Sequence, residues 1–118
     1  MNGALAAAAL LCAGGCAFHE AMSGKFLAPL AASDLPGRLK WLLDLCWHFV
    51  GLIFAVLAAG FVAGAFGWLQ GDATRFAGVL AGAIAILCGV GAVRAGLPPW
   101  RHPASYVLGG AAVLAFVA

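Results

Sequence analysis

Residues 41–68 read WLLDLCWHFVGLIFAVLAAGFVAGAFGW, and this stretch decides the fold. A helix needs roughly 20 apolar residues to cross about 30 Å of hydrocarbon. This run is longer than that, Asp44 is its only fixed charge, and a tryptophan stands at each end. Tryptophan favours the boundary between lipid and water, so Trp41 and Trp68 read as interface markers on a transmembrane helix.

Three further apolar runs surround it. The first spans Gly3 to about Met22, the third Phe76–Val93 and the fourth Ala104–Ala118. The fourth has only about 15 residues, below the usual span of about 17–25, so a short helix in a thinned bilayer competes with a half-inserted segment. Breakers fall between the runs: Pro29, Asp34-Leu35-Pro36-Gly37, Gly71-Asp72 and Gly96-Leu97-Pro98-Pro99. The expected fold is therefore all-α, a polytopic bundle of four transmembrane helices (about 3–22, 41–68, 76–93 and 104–118) forming one integral membrane domain over residues 1–118.

Composition agrees with this reading. Hydrophobic residues make up 65% of the 118 and charged residues 8%, and the mean hydropathy is +1.08. Soluble domains carry about 45–50% apolar and about 25% charged residues. Lipid can cover apolar faces that a small soluble chain would have to bury, provided the backbone bonds itself in helices. The net charge of +2 comes from a few side chains placed between the runs. It forms no basic patch, which excludes a nucleic-acid role.

The first run lacks the positive n-region of a secretory signal, since Met1-Asn2-Gly3 offers only the amino terminus. Ala13-Gly14-Gly15-Cys16 lacks the large apolar residue that a lipoprotein cleavage site has three before its cysteine. The run is therefore expected to remain as a helix.

Basic residues give an orientation. Lys25, Arg38 and Lys40 lie in the first loop and Arg94 and Arg101 flank the third, against Arg75 alone in the second. The positive-inside rule then places loops 23–40 and 94–103 in the cytoplasm and both termini outside, in a bacterial inner membrane. Trp41 and Trp100 would mark the cytoplasmic boundary and Trp68 the other.

Helix contact in lipid depends on small residues that let backbones approach. Gly60 and Gly64 stand at GxxxG spacing in the second run. Gly78 and Gly82 do so in the third, continued by Ala85 and Gly89. These faces predict packing within the chain, or with a second copy or another membrane protein.

A charged side chain at a helix centre costs about 2.5–3.5 kcal/mol on insertion scales, so ionisable residues within the runs need a partner, a cavity or a ligand. Asp44 and His48 share a face of the second helix at i,i+4 spacing. The carboxylate could orient the imidazole for metal or proton chemistry; alternatively the ring is a neutral packing residue and Asp44 sits in the interface. If the first helix continues toward Pro29, His19 and His48 lie at one depth, roughly 15 Å in, and could meet. If it stops at Ser23-Gly24, His19 lies near the surface and Glu20 snorkels. His102, ahead of Pro103, would be on the same side, either joining the group or simply starting the last helix.

His19, Glu20, His48 and His102, with Asp44 as an outer partner, are thus the candidate metal ligands. The mixed set suits zinc or iron, and two facing histidines suit haem. No HExxH, CxxCH or repeated Glu-x-x-His motif names either cofactor. Cys12 and Cys16 share a face with His19, and Cys46 and Cys88 are isolated; all four read as small apolar residues.

His19, Gly24, the stretch Phe26-Leu27-Ala28-Pro29-Leu30 and the Trp47-His48 pair together resemble a family of small four-helix bacterial integral membrane proteins without assigned activity. The likeness lies mainly in residues 15–55. Those proteins often carry Gly-Glu after the histidine where this chain has Gly24-Lys25. The resemblance implies the fold and draws attention to His19 and His48, and it implies no activity.

Three functions fit these residues. A structural or accessory membrane protein acting through helix packing comes first. A small-solute, proton, metal or haem handler built on the His/carboxylate group is the alternative. A membrane enzyme comes last, because no nucleophile or catalytic motif supports it.

Overall fold

A computed structural model describes residues 1–98 and 101–118. Trp100 and Pro99, read above as interface marker and breaker, lie outside the described residues. The described chain is all-helical, with α1 at Gly3–Ala21, α2 at Ser23–Ala32, α3 at Gly37–Ala65, α4 at Gly71–Arg94 and α5 at Pro103–Phe116.

Local chemistry sets these limits. Asn2 caps α1, its side-chain oxygen accepting from the Ala4 and Leu5 amides at 3.0 and 3.2 Å. Helices α1 and α2 form nearly one rod, interrupted where Met22 holds φ −85°, ψ −7° just before the weak helix formers Ser23 and Gly24. Proline at 29 then withholds an amide from the α2 ladder. The Lys40 ammonium donates to the Ala31 carbonyl at 2.8 Å, satisfying an end carbonyl of α2 with a cation. Helices α3 and α4 end alike. Gly67 and Gly96 take positive φ (75° and 73°), and the next amide reaches back, Trp68 to Ala63 at 2.8 Å and Leu97 to Ala92 at 2.9 Å. Both are Schellman stops, for which glycine is the least strained residue.

The boundaries differ from the expected ones for these reasons. Much of the expected loop 23–40 is helical, because Phe26–Ala32 is apolar and helix-forming apart from Pro29. Helix α3 gains a turn at its start, and the Gly67 stop ends it before Trp68.

Helices α1, α3, α4 and α5 form an up-and-down ring. Helix α1 packs along both α3 and α5, α4 along α5, and the α3–α4 side is the lightest. The Asn2 amide donates to Ala65 at 2.9 Å and its side chain to Ala118 at 3.1 Å, so both termini share one end with the α3–α4 connection. The other two connections lie at the opposite end, and the molecule is 50 Å long.

The core is built from small residues around a few large ones. Ala8, Cys12, Ala81 and Ala111 are buried, and Phe61 and Leu108 are the largest side chains fully enclosed. A Cβ at Gly78 would stand 2.9 Å from Ala115 Cβ, and one at Gly82 3.5 Å from Ala112 Cβ. These glycines thus hold α4 against α5. Gly64 lies against Thr74 and Leu5, whereas nothing lies within 4 Å of a Cβ at Gly60. Three of the four GxxxG glycines pack within the chain.

The chain is an integral membrane protein by length and composition. The continuous segment Gly3–Ala32 and helices α3 and α4 are long and apolar enough to cross a bilayer, and α5 is a shorter apolar helix. Phe18, Phe49, Leu52, Ile86, Leu87 and many other large apolar side chains face outward. Trp41 and Trp68 are both exposed. From Trp41 to Ala65, the last residue of α3, the helix rises about 36 Å at 1.5 Å per residue, enough to cross the roughly 30 Å of hydrocarbon, and Trp68 follows just past its end.

Candidate functional site

Several polar residues of the first two apolar runs gather where α1 crosses α3. Cys16 and His19, one turn apart on α1, meet two carbonyls one turn apart on α3. The Cys16 thiol donates to Gly51 O at 3.4 Å. His19 Nε2 lies 2.8 Å from Trp47 O; a carbonyl only accepts, so Nε2 carries the proton. The His19 ring also stacks on the Trp47 indole, centroids 4.0 Å apart and planes 19° apart. Phe26 of α2 tilts onto the same indole at 4.8 Å. One indole thus ties α1, α2 and α3 together.

Glu20 fills the adjacent space. Its carboxylate rests where a Cβ at residue 51 would stand, so a larger residue there would turn this flexible side chain aside. Glu20 Oε2 lies 3.7 Å from His48 Nδ1, and Asp44 Oδ1 lies 3.9 Å from His48 Nε2. Each ring nitrogen of His48 therefore faces a carboxylate. The side chains of His48, Glu20 and Asp44 are 53%, 44% and 51% exposed, so the three look outward. Along α3, His48 stands about 10 Å inward from Trp41, at the edge of the hydrocarbon.

Beside it, α2 and the start of α3 frame a shallow groove of about 290 Å³, lined by Leu27, Leu30, Lys40, Trp41 and Asp44. It opens to the outside at the level of Trp41.

Asp44 and His48 share a face, as i,i+4 spacing implies, and Glu20, left by the sequence either to join them or to snorkel, lies beside His48. The helices carrying His19 and His48 do meet at one depth, but through His19 with Trp47 and Glu20 with His48, leaving the His19 Nε2 already engaged. His102 stands apart as the residue before α5, with no side-chain capping bond and with its Nδ1 buried and unpaired. Trp47 Nε1 and Ser105 Oγ are likewise buried without a hydrogen-bond partner. Among the described residues, no three His, Cys, Asp or Glu side chains form a metal-holding group. Cys12 is buried, Cys46 is exposed, and all four cysteines are free thiols.

Gly51 and Cys16 contribute to the crossing without any motif of their own. The available signal for Gly51 was its isolation, a lone glycine among the large side chains of residues 47–54. Cys16 had only its position one turn before His19.

No protein-family model, curated protein or solved structure matches this chain.

Proposed function

We propose that this protein is an accessory component of a bacterial inner membrane, acting by lateral packing against another membrane-embedded helix, its own or a partner's. One observation carries the reading. Among the described residues, the carboxylates found beside an ionisable partner, Glu20 and Asp44 flanking His48, are turned outward, while the space between the helices is filled mainly by Phe61, Leu108, Cys12 and alanines, with Thr74 as its one buried polar residue. A carrier or proton path needs polar side chains facing one another across the bundle interior. A recognition surface needs them outside, where a neighbouring helix can meet them.

The orientation of the proposal has loops 23–40 and 94–103 in the cytoplasm. It is supported by Lys25, Arg38, Lys40, Arg94 and Arg101 sharing one end of the ring, with Arg75 at the other.

The test is the size of the assembly in mild detergent extracts of native membranes, paired with proton and divalent-metal flux into vesicles holding the purified chain. The reading expects an assembly larger than one 11.9 kDa chain with its detergent, and no flux above protein-free vesicles. A monomer in the extracts together with flux that Glu20→Gln abolishes would reverse the order of the two functions.

A further inference from the structure

The outward face of the α1–α3 seam has a second feature in line with the polar group. Toward the terminal end, alanines of α1 and α3 floor an entirely apolar groove of about 270 Å³ that Met1, Leu10, Val62 and Phe66 rim. The alanine floor would let another helix approach closely between those larger side chains, which is how helices associate in lipid. At the far end of the same seam stand Glu20, His48 and Asp44.

We propose that this seam seats a transmembrane helix of a different protein, carrying a lysine or arginine that reaches Glu20 and Asp44. The inference rests on the accessory reading above and names the partner's chemistry.

Length selects the occupant. From Ala6 to Glu20 is 14 residues of α1, about 21 Å, whereas a lipid of one leaflet covers only about half of the roughly 30 Å hydrocarbon. A single lipid therefore cannot lie in the groove and also reach the carboxylates, and a membrane-crossing helix can.

Charge selects its side chain. The group sets two carboxyl side chains against one imidazole, so acidic groups outnumber basic ones. Among the described residues, no lysine or arginine of this chain pairs with Glu20 or Asp44, and Lys40, one turn from Asp44, is bonded to Ala31 O. A long cationic side chain entering from the nearby interface would satisfy both oxygens while its stem stays in lipid. A second copy is disfavoured, because a two-fold contact through this face would bring two such acidic groups together at one depth.

The test places a photo-crosslinking amino acid at Val62 in the groove and, as a control, at Ile86 on the exposed face of α4, in the full chain in its native membrane. Adducts are identified by mass spectrometry, with size-exclusion profiles confirming that each variant folds. The proposal expects a Val62 adduct, absent from Ile86, on a transmembrane segment of another protein with a lysine or arginine near the level of Glu20. The Glu20→Gln, Asp44→Asn double variant should lower its yield at least about tenfold, the equivalent of about 1.4 kcal/mol. A partner segment without a basic residue, or an adduct indifferent to the double variant, overturns the cationic partner and leaves the accessory reading standing. An adduct with a second copy does the same. Lipid adducts only, or no adduct, overturn both.

Discussion

The two halves of the α1–α3 pair are built on different principles. From Asn2 to Cys12 on α1 and from Gly51 to Ala65 on α3, the pair contributes Leu5, Ala8, Ala9, Cys12, Phe54, Leu57, Phe61 and Ala65 to one continuous core shared with α4 and α5. From Gly37 to Val50, α3 buries nothing, and α2 buries nothing at all. That half is held by His19 and Phe26 on one indole, by Cys16 on a carbonyl, and by Glu20 beside His48. The first half is cohesive through shape, and removal of one atom group is felt by every helix around it. The second is a set of specific contacts on a lightly supported helix pair. The outward-facing polar group lies at the junction of the two, where the rigid half fixes Gly51 and the looser half supplies His48 and Asp44.

The comparison breaks most visibly if the packed half is opened. Phe61→Ala leaves a void in the shared core. Phe→Ala costs about 3–5 kcal/mol in soluble cores; lipid removes part of the transfer term, so about 2–4 kcal/mol is expected here. Denaturant-driven unfolding in mixed micelles measures it, and the loss should appear as one cooperative shift involving all four helices of the ring.

The looser half should answer differently. His19→Leu removes the bond to Trp47 O and the stacking on its indole, a loss of about 1–2 kcal/mol. Hydrogen exchange should show faster opening confined to α2 and residues 37–50, with α4 and α5 unchanged. Loss of protection throughout the bundle would show that the two halves are one cooperative unit.

The smallest effect sharpens the same contrast from within the packed half. At Gly60 a Cβ meets nothing within 4 Å, so Gly60→Ala should raise stability by up to about 1 kcal/mol, alanine being the better helix former. A loss, measured by the same unfolding assay, would mean that a neighbour outside the chain occupies that face.

The helical bundle was legible because lipid imposes one strong rule: an apolar run of the right length must satisfy its backbone internally, as residues 41–68 do. The i,i+4 pair Asp44 and His48 was legible for a similar reason, since spacing on a helix fixes the face. Other features depend on where helices cross. Whether His19 faces His48 or the Trp47 carbonyl turns on a shift of one residue, and no periodicity encodes it. The glycine motifs show the same limit. Gly60 and Gly64 share a spacing and nearly a face, yet only Gly64 has a neighbour, because α4 touches α3 near their shared connection and little beyond it.

The unequal lengths of the helices carry a consequence for the bilayer itself. The α1–α2 rod and α3, with 30 and 29 residues, extend about 45 Å, whereas α5, with 14, extends about 21 Å. Opposite flanks of one bundle thus ask for different hydrocarbon thicknesses. Lipid beside α5 must thin or the bundle must tilt toward that side, at fractions of a kcal/mol per Å of mismatch. Such a wedge deforms its surroundings unevenly, so its stability should vary with acyl-chain length, and membranes of shorter lipids should hold it best.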